Sequence, residues 1–156
     1  MIVALTSGLF HSVFNSATPP FYQIDRDDNS ISLEGPPSEK DWDTVLEVIK
    51  ERKLTKLIAG GLTDRLTDSA IARLTPLDQL THLHIAGSPA LTDKGVLHLA
   101  GMPQLRDLEL GGSTSPITDR GLEVLRHLSE LRRFQSSWTP GITDTGLTNL
   151  AFCDRL

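Results

Sequence analysis

The sequence contains one cysteine, Cys153, among its 156 residues, so it cannot form an internal disulfide. Secreted repeat proteins often use disulfides to hold their ends. A chain without them fits a reducing compartment, and we therefore expect a cytoplasmic protein. The single cysteine also excludes the paired-cysteine spacings of zinc motifs.

The chain also has little positive charge. Fifteen Lys and Arg stand against twenty Asp and Glu, which gives a net charge of −5. A general nucleic-acid binder needs a basic surface, so no nucleic-acid partner is expected. Residues 1–17 are mildly apolar, contain no Lys or Arg, and are too short to cross a bilayer, so no membrane association is expected. Residues 1–20 are predicted to be a flexible tail or leader, or else a capping segment.

Two sequence signals recur with a period of about 25 residues. The first is a leucine series separated by 26, 25, 26 and 25 residues: Leu54, Leu80, Leu105, Leu131 and Leu156. The second is Leu or Ile followed by Thr-Asp, with threonines at Thr67, Thr92, Thr118 and Thr143. Because both signals recur in the same register, the chain contains a tandem repeat of about 25 residues.

Each repeat combines two hydrophobic patterns. Its first half has alternating apolar residues, as in a strand, and its second half has apolar residues at helical spacing. The threonine can cap the helix, and the following aspartate lies near the positive end of the helix dipole. Gly95, Gly121 and Gly146 also recur, which indicates close approach of the two layers. The predicted strands lie near 56–59, 82–85, 107–110 and 133–136, and the predicted helices near 67–77, 93–101, 119–128 and 144–152.

The pattern L-x-x-L-x-L, followed by I/L-T-D-x-G-L and L-x-x-L/C, resembles the cysteine-containing leucine-rich repeats of F-box-type ubiquitin-ligase receptors and their bacterial relatives. The resemblance implies an α/β fold, a right-handed leucine-rich-repeat solenoid in a horseshoe arc. Its parallel sheet would line the concave face and its helices the convex face. No F-box-like helical segment is evident upstream, so the ligase-adaptor role does not follow from the fold. The implied repeats are 54–79, 80–104, 105–130 and 131–156.

Residues 21–53 are predicted to cap the first repeat. The stretch FYQID-RDDN-SISLE indicates two strands around a polar turn. An amphipathic helix should then begin around Ser38, with Trp42 and Ile49 turned inward. A cap is needed because an open end of a repeat array exposes its core.

The expected concave face predicts that the protein is a scaffold for protein–protein interaction. We expect no enzymatic activity, no cofactor and no metal. Outward-facing strand residues form the usual binding surface of a repeat array. The expected partner is another protein. The residues expected to bind it are Lys56, Ile58, His82, His84, Asp107, Glu109, Arg133, Gln135 and Trp138.

Several alternatives remain open at this point. His82, His84, Asp107 and Glu109 could hold a metal for hydrolysis, although surface hydrogen bonds or partner contacts explain them more simply. Trp138 stands where preceding repeats have glycine, and it is either an interface hot spot or a lid over the last repeat. Cys153 is predicted to be a buried thiol rather than a nucleophile. The protein could instead be an assembly subunit that docks through its open C-terminal end, with self-association through 131–156.

Overall fold

A computed structural model describes residues 21–33, 38–59 and 66–156 of the chain. The tail predicted at residues 1–20 lies outside the described residues. Within them, six strands form one sheet in sequence order. The strands are β1 (Tyr22–Asp25), β2 (Ser30–Leu33), β3 (Lys56–Ile58), β4 (His82–His84), β5 (Asp107–Gly111) and β6 (Arg133–Ser137).

The predicted fold class, a leucine-rich-repeat solenoid with an all-parallel concave sheet and a convex helical layer, is wrong. The described residues form a small α/β domain with a mixed sheet, because β1 pairs antiparallel with β2 while the later neighbours are parallel. The turn between β1 and β2 is what reverses the chain. Asp25 accepts hydrogen bonds from the backbone N–H groups of Asp27 and Asp28, and Asn29 adopts a left-handed φ of 50°. The hairpin predicted for this segment is confirmed.

Four α-helices and three 3-10 helices follow the strands within the described residues. The α-helices are α1 (Glu39–Arg52), α2 (Asp68–Leu74), α3 (Asp93–His98) and α4 (Asp144–Leu147), and the 3-10 helices are Leu99–Gly101, Gly121–His127 and Thr148–Phe152. The α-helix predicted near 119–128 is therefore a 3-10 helix, which rises further per residue and spans the same layer with fewer residues. No helix in this part of the chain is long and apolar enough to cross a membrane.

Helix α1 begins where the sequence predicts. Ser38 accepts a hydrogen bond from the backbone N–H of Asp41, and the Asp41 carboxylate accepts one from the backbone N–H of Ser38, which completes a capping box. Trp42 and Ile49 are fully buried against the first repeat. These buried side chains are the contacts through which the helix would cap the first repeat.

The repeat spacing sets the register of the sheet. Leu57 pairs with Leu83, Leu83 with Leu108, and Leu108 with Phe134. Each of these residues is at the fourth position of its repeat, so a 25- or 26-residue step returns the chain to the same height on the next strand. The three leucines are fully buried between the sheet and the helices.

A hydrogen-bonded clamp joins each repeat to the next one on the helical side. The Asp119 carboxylate accepts the backbone N–H of Thr143 at 2.7 Å and its hydroxyl at 2.6 Å. The same pair of bonds joins Asp68 to Thr92 and Asp93 to Thr118. The predicted threonine caps are also present, because each clamped threonine accepts a backbone N–H two residues later.

The clamp accounts for the recurring glycines more specifically than the predicted close approach of the strand and helix layers. A Cβ placed at Gly146 would overlap the Asp119 carboxylate, and one at Gly95 would overlap Asp68. Gly121 stands in the same relation to Asp93. Glycine at these positions leaves the space that the aspartate of the preceding repeat occupies.

Truncation of a core leucine should test the register. Leu108 is fully buried between Leu83, also buried, and the partly buried Phe134 on the next strand, so Leu108→Ala removes packing on both sides. We expect a loss of about 2–5 kcal/mol in the free energy of unfolding. Urea denaturation measures this quantity, and a loss below about 0.5 kcal/mol would contradict the buried placement.

Acid titration of the clamp supplies a second test. Hydrogen bonds from Thr143 hold the pKa of Asp119 below its usual range. A depressed folded-state pKa contributes stability above the unfolded pKa, and this contribution is lost as the pH falls through the folded value. Asp119→Asn should therefore melt at a lower temperature than the wild type at pH 7, with the gap closing as the pH falls through the lowered pKa of Asp119.

The matched control is Asp144→Asn. Asp144 occupies the same position in the last repeat, and the described residues place no threonine against its carboxylate. We expect its thermal midpoint to stay close to that of the wild type at both pH values. Equal losses for the two variants would contradict a stabilising role of the clamp.

Candidate partner-binding face

Eight of the nine predicted binding residues lie together on the sheet face opposite the core. The pairing places them in two rows across β3 to β6, and we call this surface the polar face. One row is Lys56, His82, Asp107 and Arg133, and the other is Ile58, His84, Glu109 and Gln135. Adjacent members of a row are about 4.8 Å apart across the sheet.

Asp107 is at the centre of the charge on the polar face. One of its oxygens accepts a hydrogen bond from Arg133 Nε at 2.9 Å. The other oxygen lies 3.4 Å from His84 Nε2. Because that second contact lacks hydrogen-bond alignment, Asp107 Oδ1 and His84 Nε2 are covered by protein without a hydrogen-bond partner. Protonation of His84 would turn the contact into an ion pair.

Glu109 extends this network to the second row. Its carboxylate lies 3.9 Å from His84 Nδ1 and 4.0 Å from an Arg133 guanidinium nitrogen. The imidazole of His84 is thus positioned between two carboxylates from the next strand. His82 is held differently, since its ring nitrogen Nδ1 is 2.8 Å from the hydroxyl of Thr81. The two histidines, grouped together by sequence, therefore have separate local partners.

Sequence reasoning missed the contact between the polar face and the hairpin turn at its N-terminal end. Lys56 Nζ lies 2.7 Å from Asp28 in the hairpin turn, and its hydrogen bond holds the pKa of Asp28 below the usual range. A cavity of about 420 Å³ lies beside this pair, between the hairpin and Ile58. The signal that could have revealed it is the acidic turn around Asp27, directly before the strand that neighbours Lys56.

The metal-site alternative finds no geometric support in the part of the chain described. No group of three or more His, Cys, Asp or Glu side chains there is arranged to hold a metal ion. His82 bonds to Thr81, while His84 and Glu109 face each other at 3.9 Å. The four residues of the hydrolase hypothesis thus share one face without converging on a point.

Trp138 follows β6 directly and is 85% exposed. The lid hypothesis is therefore wrong, since a lid would bury the indole against the last repeat. Its backbone is left-handed with φ 56°, where Gly87 and Gly112 of earlier repeats have φ 86° and 120°. A large residue in this conformation costs about 1–2 kcal/mol. A bare indole held at that cost is more typical of a binding residue than of a structural one.

Cys153 is only 5% exposed, and its Sγ lies 3.4 Å from the carbonyl oxygen of Leu125. Burial, and then the nearby Asp154 carboxylate, raise the pKa of the thiol. A raised pKa lowers the fraction of thiolate, which is the nucleophilic form. The prediction of a buried thiol is confirmed.

Comparison with known proteins leaves the family open. The chain matches no protein-family model, and no curated protein is significantly similar to it.

The energetic role of Trp138 can be measured by replacing it with the glycine of earlier repeats. Trp138→Gly relieves the left-handed strain but adds freedom to the unfolded chain, so the two effects oppose each other. We expect the free energy of unfolding to change by less than about 1 kcal/mol in urea titrations. A loss of about 3–5 kcal/mol, typical of a core aromatic, would show that the indole is structural.

Proposed function

We propose that this protein is a protein-binding module and that its polar face, together with Trp138, contacts another protein. The observation that carries the proposal is the pair of polar rows that strand pairing aligns across β3 to β6, with Arg133 bound to Asp107 and an 85% exposed tryptophan directly after β6. Such a surface combines polar contacts with an aromatic anchor, the residue type enriched among interface hot spots.

The charge network favours binding because it positions side chains before a partner arrives. Asp107 is held by a hydrogen bond from Arg133, and the His84 imidazole lies 3.4 Å from its other oxygen. A partner then orders fewer side chains on binding, which lowers the entropic cost of association. The repeat positions that carry these charges contribute little to the core, since their side chains lie on the opposite face from the buried leucines.

The sign pattern of the face favours a partner that also carries both charges. Lys56 and Arg133 are each paired with an aspartate, and Glu109 adds a further negative group. Neither a polyanion nor a strongly basic peptide would find one uniform charge along this face. We therefore propose a mixed, folded protein surface as the partner, in the cytoplasm, where the free thiol of Cys153 would stay reduced.

Affinity capture with matched variants tests the proposal. The wild-type chain, Glu109→Ala and Trp138→Gly would each be used as bait in extract of the source cells. Truncation of a hot-spot residue costs at least about 2 kcal/mol, or roughly 30-fold in Kd. We expect Trp138→Gly to lose a partner that the wild type retains, and Glu109→Ala to recover less of it.

Glu123→Ala is the control, because Glu123 is an exposed glutamate on the helical side of the molecule. It should retain the partner, with its Kd unchanged in a titration of the purified pair. Undiminished binding by both polar-face variants, combined with loss in Glu123→Ala, would place binding on the helices and refute the proposal.

A further inference from the structure

A row of five residues lies where the strands from β2 to β6 begin, along one edge of the polar face, and each member directly precedes its strand. The members are Asn29, Thr55, Thr81, Arg106 and Arg132, and we call them the entry row. The backbone N–H of each member donates to the carbonyl oxygen of the member before it, at 2.8 to 3.1 Å. Adjacent members are therefore one strand spacing apart, or about 4.8 Å.

Three members of the entry row are neutral, and their side chains bond within the sheet edge. Asn29 Nδ2 donates to Thr55 Oγ1 at 3.3 Å, and Thr81 Oγ1 donates to the carbonyl oxygen of Thr55 at 3.4 Å. The hydroxyl of Thr81 also lies 2.8 Å from His82 Nδ1. These contacts account for the three residues as parts of the fold.

The other two members, Arg106 and Arg132, are exposed, and neither guanidinium has an ion-pair or hydrogen-bond partner within the described ranges. The carboxylates closest to them in sequence are already engaged. Asp107 accepts a hydrogen bond from a different arginine at 2.9 Å, and Glu130 pairs with Arg155 at 3.0 Å. Arg106 is exposed although a repeat lies on each side of it, so the end of the chain does not explain its exposure.

An arginine pair without counter-charge is unfavourable for the fold. Like charges opposite each other on neighbouring strands are destabilising. The position does not require arginine, since Thr55 and Thr81 occupy it in earlier repeats with short neutral side chains. The pair is also an exception in a chain whose net charge is −5. A ligand that supplies negative charge would remove the repulsion, which no contact among the described residues does.

We propose that Arg106 and Arg132 bind an acidic segment of another protein, with one carboxylate for each guanidinium. Arginine suits this role because its planar guanidinium presents paired N–H donors that match the two oxygens of a carboxylate. Acidic side chains two residues apart in an extended segment lie on one face, about 7 Å apart, within reach of two long side chains one strand spacing apart. The inference rests on the proposed function, since it assigns the acidic part of the mixed partner surface to this edge of the polar face.

The neighbours of the pair favour a short acidic segment over a long polyanion. The entry row continues from Arg106 to the neutral Thr81, and the polar face beside it carries the carboxylates of Asp107 and Glu109. A nucleic acid needs a continuous basic surface, which two arginines beside two carboxylates do not form. A segment with two to four acidic residues would bring negative charge to the pair without covering those carboxylates.

Titration of the full chain with a short acidic peptide tests the inference. The probe is acetylated tetraglutamate amide, the uncharged control is the tetraglutamine peptide, and NMR signals of the arginine Nε–H groups report binding. We expect tetraglutamate to shift the signals of Arg106 and Arg132, and tetraglutamine to shift neither. A double variant with Arg106→Gln and Arg132→Gln should bind tetraglutamate with a Kd about 2- to 30-fold higher, the range for two exposed ion pairs.

The matched control is a double variant with Lys94→Gln and Arg120→Gln. Both residues are exposed on the helical side, so the variant loses the same two charges without changing the entry row. Its Kd for tetraglutamate should stay within about 1.5-fold of the wild-type value, and thermal unfolding of both double variants would confirm that they are folded. Equal Kd values for the two double variants, or shifts of arginine signals outside the pair alone, would overturn the inference.

This test and the capture experiment fail separately. If tetraglutamate does not bind the pair while capture still depends on Glu109 and Trp138, this inference is overturned and the proposed function stands. If tetraglutamate binds the pair while capture is indifferent to Glu109 and Trp138, the proposed function is overturned and the acid-binding pair stands.

Discussion

The bond from an aspartate carboxylate to the threonine of the next repeat is the contact on which the rest of the structure depends. It satisfies the threonine N–H and hydroxyl together, as in Asp119 and Thr143 at 2.7 and 2.6 Å. It requires glycine where a side chain would collide, as at Gly146. The bond fixes one repeat against the next on the helical side, while strand pairing fixes them in register on the sheet side. The two rows of the polar face follow from that register. The proposed binding surface and the buried core thus lie on opposite faces of the same short strands.

Much of this arrangement could be predicted because it depends on spacing alone. Steps of 25 and 26 residues place Leu83 beside Leu108, and the alternation along a strand then sets His84 beside Glu109 on the other face. The hairpin at Tyr22–Leu33 follows from its polar turn, and the start of α1 from the capping box at Ser38. In each case the signal is local, or it repeats in phase.

The predictions that failed depend on contacts a periodic pattern does not contain. The leucine series predicts parallel neighbours but not how the first strand joins them, and the antiparallel β1 makes the sheet mixed. The Thr-Asp signal predicts helix starts. It does not reveal that the carboxylate of Asp68 reaches across to Thr92, since that depends on the distance between layers. Trp138 was ambiguous because the sequence does not show how exposed a side chain is. The ion pair of Lys56 with Asp28 was missed because Asp28 lies in the hairpin turn, outside the repeat pattern.

The central claim is that the polar face is where another protein binds, and site-specific photocross-linking tests it most directly. A photoreactive side chain would replace Gln135, on the polar face, or His127, exposed on the helical side. Irradiation in the source cells should yield a covalent adduct with a different protein from position 135 and none from position 127. Adducts from position 127 alone would contradict the claim, because they would place the partner on the helical layer.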